Sequence, residues 1–183
     1  MSWINSSIVS MLRILPRWFI QPFAKTYVAG ESVEETVLVV KKVNGRGFTC
    51  TLDILGEHVQ SAAEAEDITQ EYCDLYDVIA NENLDCNISI KLTHIGLALD
   101  KTIAADNLVR ILKQAQLYGN FLRIDMENSP YTQDSINLYQ DYVSDYPNMG
   151  LVLQAYLKRS LEDVRTLNRP GFNPRGGRGI YDE

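Results

Sequence analysis

Apolar and polar positions along the chain follow a repeating rhythm. A short run with strand character is followed by a stretch with helical periodicity, several times over. Residues 48–55, FTCTLDIL, form the first run, bounded by Gly45, Gly47 and Gly56. From Ala62 to Asn81 the apolar residues Ile68, Tyr72, Leu75, Tyr76 and Ile79 fall on one helical face. In residues 87–93, NISIKLT, Ile88, Ile90 and Leu92 alternate with polar neighbours, which predicts a strand. A helix over about 102–118 follows, with Ile103, Asn107, Leu108, Ile111, Leu112 and Ala115 as its buried stripe.

The third run, 120–126 (NFLRIDM), leads through a loop with Pro130 into a helix carrying Ile136, Tyr139, Val143 and Tyr146. Pro147 and Gly150 stop that helix. The fourth run is 149–156, MGLVLQAY. Ser160 and Asp163 predict a capping box for the next helix, whose apolar face is Leu161, Val164 and Leu167. A fifth run near Phe172 reads FNPRGGRGIY. Pro174 and its glycines make it a poor strand by propensity.

The predicted order is one helical segment (1–44), then four βα units and a fifth strand (45–183). Such alternation means a mainly parallel sheet with right-handed crossovers. An open doubly wound sheet and a barrel both satisfy it, and both place function at the carboxyl ends of strands. Asp53, Lys91, Asp125 and Gln154 all lie late in successive runs. A closed barrel typically takes about 250 residues, so 183 residues predict an incomplete one.

Composition narrows the picture further. Hydrophobic residues make up 45% and charged residues 22%, an ordinary globular balance. A net charge of −7 argues against nucleic acid as a partner, and the single PRGGRG stretch does not make an RNA-binding box. Cys50, Cys73 and Cys86 form no CxxC pair and no disulfide framework, which fits a reducing, cytoplasmic setting. Residues 8–20 are apolar but are interrupted by Arg13, Pro16 and Arg17. A spanning helix needs about 20 largely apolar residues, and no small-residue cleavage site follows. A helix packed on its own domain is expected; the alternative is a peripheral membrane contact, which Arg17, Trp18 and Phe19 suit.

Several side chains have chemistry to offer. Lys91, inside the second predicted strand, can bind an anion or, if desolvated, act as a base; it can equally be a solvated edge lysine. Asp125 and Glu127 share one face at period two, as a general-base pair, as metal ligands or as ion-pair partners of Lys91 or Arg123. Gln154, in an apolar strand, needs a partner, which is either a ligand or a neighbouring side chain. Lys158 and Arg159 can meet an anion or simply face water. His58 and His94 lack metal-ligand spacing, and no GxSxG, HExxH, P-loop or GxGxxG occurs.

Five segments in register resemble the proline dehydrogenase family, of the single-function bacterial type. They are YVAGESVEETV (27–37), GFTCTLDILGEHV (47–59), ISIKLTHIGL (88–97), LRIDMENSPYT (122–132) and GLVLQAYLKRSLEDV (150–164). The resemblance implies a (βα)8 TIM-type barrel holding FAD at the strand ends. It implies oxidation of L-proline to Δ1-pyrroline-5-carboxylate, with hydride transfer to flavin N5 and a quinone as electron acceptor. By the same resemblance, Lys91 lies near the substrate carboxylate, Asp125 braces the substrate region and Gln154 hydrogen-bonds the flavin ring. Arg175 is the flavin N5 partner, Arg178 occupies a lysine position and Tyr181 lines the proline pocket.

The fifth strand departs from the family pattern. Gly176 and Gly177 replace apolar residues, Pro174 precedes them and Arg178 replaces lysine. The family also continues through three more strands and a last helix beyond the resembling stretch. The alternative expectation is therefore an inactive portion, or a module that pairs through open strand edges with itself or with a second half.

Overall fold

A computed structural model describes residues 29–30 and 32–179. The expected N-terminal helix over residues 8–20, its membrane contact and Tyr181 lie outside the described residues. The chain divides into two compact units between Phe48 and Thr49. The described part of the first unit holds helix α1 (Val33–Asn44), with Ser32 accepting a hydrogen bond from the Glu35 amide at its N-cap.

The second unit runs in order β1 (Cys50–Leu52), α2 (Ala62–Asn81), β2 (Cys86–Ile90) and a 3₁₀ turn (Leu92–Ile95). It continues with α3 (Lys101–Leu117), β3 (Leu122–Ile124), α4 (Ser129–Tyr142), β4 (Met149–Gln154), α5 (Ser160–Leu167) and β5 (Pro174–Gly177). The five strands pair in sequence order, all parallel. Flat, the two outer strands would stand about 19 Å apart at the usual strand spacing. Yet Arg175 of β5 donates to the Thr51 hydroxyl of β1 at 3.1 Å. The sheet therefore curls, and the unit is an incomplete (βα)8 TIM-type barrel.

Register divides the sheet into two faces. Leu52, Ile88, Ile90, Leu122, Ile124, Leu151 and Leu153 point outward and are buried. Tyr72 and Tyr76 of α2 and Leu108, Ile111, Leu112 and Ala115 of α3 are buried with them. Each large side chain so buried contributes about 1.5–3 kcal/mol. The inner face is polar: Thr51, Asn87, Ser89, Arg123 and Arg175 lie there.

Three local expectations are corrected. Lys91 is not inside β2; the strand ends at Ile90, and Lys91 begins the 3₁₀ turn in extended conformation. The Ser160–Asp163 capping box does not form. Arg159 occupies the N-cap position and takes Asp163 in a bidentate pair at 2.7 and 2.9 Å, while the Ser160 hydroxyl donates to the Gln154 carbonyl. A guanidinium beside Asp163 offers its carboxylate two bonds from a cation where the box offers it one backbone N–H. On α5, Leu161 and Val164 are exposed and only Leu167 of the apolar face is buried.

Candidate functional site

The carboxyl ends of β1 to β4 bring their polar residues together. Asp53 follows β1, and its Oδ2 accepts from Lys91 Nζ at 2.7 Å. Both side chains are mostly buried, 19% exposed for Lys91 and 27% for Asp53. Burial alone would lower the Lys91 pKa. The Asp53 hydrogen bond and the charges of Asp53, Asp125 and Glu57 outweigh it and raise the value. Lys91 is thus an anchored cation and not a base poised near neutrality.

Asp125 is aligned by its backbone, whose N–H donates to the Ile90 carbonyl at 2.8 Å and continues the β2–β3 ladder. Burial raises its pKa, and the Asp53 carboxylate raises it further, against Lys91, Arg175 and a hydrogen bond from Ser89. A carboxyl held this way can keep or take a proton more readily than a solvated one.

Glu127 parts company with Asp125. The chain leaves β3 after Ile124, so period two no longer applies. Glu127 is buried and accepts from the Thr93 amide at 3.0 Å and from the Thr93 hydroxyl. It ties the β3–α4 loop to the 3₁₀ turn that follows Lys91. Burial raises its pKa despite those two bonds. The general-base or metal pair of Asp125 with Glu127 does not form, and no metal-holding cluster exists among the described residues.

Gln154 ends β4. Its Nε2 donates to the Met126 carbonyl at 3.2 Å, and its Oε1 is buried with no protein partner. An orphaned buried carbonyl is uncommon in a native structure and points to a donor supplied from elsewhere. A flavin ring N–H would satisfy it, so the residues present fit that group.

Arg175 is exposed on β5, bonded to Thr51. Arg178 follows the strand; its carbonyl accepts from the Tyr156 amide at 3.1 Å. Lys158 is exposed, and Arg159 is engaged by Asp163 and Gln133, so the arginine neither stands free for an anion nor simply faces water.

Three residues of the site were given no role in it from sequence. Tyr72 lies 3.4 Å from Asp53 Oδ1 and 3.4 Å from His94 Nδ1. A phenol has one proton to give, and ionised Asp53 only accepts, so the arrangement has His94 donating to Tyr72 and Tyr72 to Asp53. Burial lowers the His94 pKa, leaving a neutral ring packed against Gly56. Arg123, only 8% exposed, lies on the inner face. A charged residue inside a strand was the available signal for it, while Tyr72 was hidden as one member of an apolar helix stripe. The cysteines are free; burial, with Cys50 and Asp85 nearby, pushes the Cys86 thiol up to about 12 and removes it as a nucleophile.

Residues 37–170 match the family model described as proline dehydrogenase. The chain is 35% identical over 160 residues to proline dehydrogenase 1 of Bacillus subtilis (strain 168), covering 87% of this chain and 53% of that protein. It is 30% identical over 165 residues to the proline dehydrogenase of Deinococcus radiodurans, covering 87% and 53%. The crystal structure of proline utilization A (PutA) from Bdellovibrio bacteriovorus inactivated by N-propargylglycine superposes with a TM-score of 0.80 at 26% identity. That match covers 87% of this chain and 20% of the PutA chain. The chain spans about half the length of the curated single-function relatives it matches. Among the described residues no helix is long and apolar enough to cross a membrane.

Proposed function

The chain belongs to the proline dehydrogenase family, and on that premise we propose that its strand-end site serves the oxidation of L-proline to Δ1-pyrroline-5-carboxylate. The observation that carries this reading is the convergence of a paired Lys91, a half-buried Asp125 and a Gln154 side-chain Oε1 without a partner at the ends of adjacent strands.

Each residue has a task that its surroundings suit. Lys91 stays protonated and offsets the substrate carboxylate with the donors that Asp53 leaves free. Asp125 braces the substrate region from the neighbouring strand. Gln154 and Arg175 would hold FAD, the first accepting a ring N–H and the second donating at N5, with Arg178 nearby. Bound FAD would supply the hydride acceptor, with a quinone as the onward electron acceptor. Tyr181 is assigned to the proline pocket by family resemblance alone.

A second reading rests on a different observation. Among the described residues β1 and β5 each pair on one side only. Open edges of this kind invite association, with a second copy or with a separately made remainder of the barrel.

The test is the visible spectrum of the purified chain with FAD added and then L-proline. A bound flavin that bleaches with proline supports the oxidation. A colourless protein that sediments as a dimer or larger overturns it and favours the second reading.

A further inference from the structure

We infer that Arg123 is the positioning residue for Arg175, clamping the start of β5 to β3 across β4. The consequence for Arg175 rests on the flavin contact proposed above; the clamp itself does not.

Strand β5 has little to hold it by its own composition. Its four residues are Pro174, Arg175, Gly176 and Gly177, and the first three are exposed. It offers no apolar side chain to the core, and Pro174 has no N–H to give. It pairs with β4 alone among the described strands. The flanking bonds run from β4 outward: Leu151 N–H to the Asn173 carbonyl at 3.3 Å and Ala155 N–H to the Gly177 carbonyl at 2.7 Å.

Arg123 adds what composition lacks. Its Nη1 donates to the Asn173 carbonyl at 2.8 Å, and its Nη2 donates to Asn173 Oδ1 at 3.1 Å. The guanidinium lies over the Phe121 ring, 4.7 Å from the centroid. Its register partner on β4 is Gly150. A Cβ at Gly150 would come within 2.5 Å of Arg123 Nη1, 2.5 Å of the Asn173 carbonyl and 2.7 Å of Phe121. The missing side chain is therefore the gap through which an arginine of β3 reaches past β4.

This arginine is held against an opposing force. Burial and the Arg175 charge both act against its protonated form, and its Nε is buried with no partner. A buried cation beside a second cation persists only if its bonds offset that penalty. Arg175 lies two residues beyond Asn173, where it meets Thr51 across the sheet. Fastening Asn173 therefore fixes where Arg175 begins.

Amide hydrogen exchange on the full chain tests the clamp without any cofactor. Arg123→Met removes the donors, Gly150→Ala closes the gap, and Asn173→Ala removes only the Oδ1 acceptor of an exposed residue, leaving the carbonyl contact in place. Exchange at Leu151 and Ala155 should rise at least tenfold in the first two variants and severalfold in the third. The Asp125 and Cys50 amides, bonded to β2 and to Asp85, should keep their rates. Unchanged rates at Leu151 and Ala155, or an equal rise at all four amides, overturns the clamp.

FAD affinity then tests positioning. Arg175→Met and Arg123→Met should each weaken binding at least fivefold, and the double variant should lose no more than the single ones. If Arg175→Met weakens binding and Arg123→Met does not, positioning fails. If Arg175→Met itself has no effect, the proposed flavin contact fails while the exchange result still decides the clamp.

Discussion

Breaking the Lys91–Asp53 pair is the most direct probe of how dry the strand-end site is. At the 2.7 Å separation, two unit charges attract by about 6 kcal/mol at the effective dielectric typical of such pairs. Desolvation consumes much of that. Exposed pairs net about 0–1 kcal/mol, whereas breaking a buried pair costs about 3–5 kcal/mol. With side chains 19% and 27% exposed, this pair falls between, and a coupling energy of about 1–3 kcal/mol follows. The assay is a double-mutant cycle of Asp53→Asn, Lys91→Met and the double variant, by urea unfolding at pH 7. Each kcal/mol corresponds to roughly 2–4 °C in Tm for a chain of this size. The pH dependence has a definite sign. The folded Lys91 pKa is raised, so its contribution is full below the ordinary lysine value and is lost as pH rises through the folded value. Coupling should be flat through neutral pH and vanish in strong alkali. A coupling under about 0.5 kcal/mol at pH 7 would make the pair no stronger than an exposed one and refute the reasoning.

Other expectations concern its neighbours. Asp125 has a raised folded pKa, so its contribution falls as pH rises through that value; the Tm of Asp125→Asn relative to the parent should increase from pH 3 to pH 7, and a constant difference would contradict this. Glu127→Ala strands the Thr93 amide and hydroxyl, and urea unfolding should register a loss of about 2–4 kcal/mol, with Glu127→Gln losing less. Gly56→Ala would drive its new methyl into the His94 ring and should destabilise by about 1–3 kcal/mol; adding His94→Ala should restore part of the loss in the same measurement.

Much of the fold is legible along the chain because parallel-sheet proteins write it locally. Alternation at Ile88 and Ile90, the helical stripe from Ile68 to Ile79 and the family segments locate the elements and their order. The strand-end rule then lines up Asp53, Lys91, Asp125 and Gln154. Errors arise where a local pattern competes with a distant partner. Asp163 pairs with Arg159 in place of capping, and Glu127 leaves the strand period because Thr93 offers two donors across the loop.

By itself, then, the sequence determines a βα succession, its polar strand ends and the family to which they correspond. Periodicity and turn chemistry act over a few residues and need no tertiary partner to be read. Only the tertiary structure decides that Asp53 is the counter-charge of Lys91, 38 residues away, and that the side-chain Oε1 of Gln154 is left without a donor. It also decides that a strand of proline, arginine and two glycines exists at all. Nothing in those four residues favours a strand; an arginine 50 residues before Asn173, reaching over a glycine, supplies at the strand's start the bonds that composition does not.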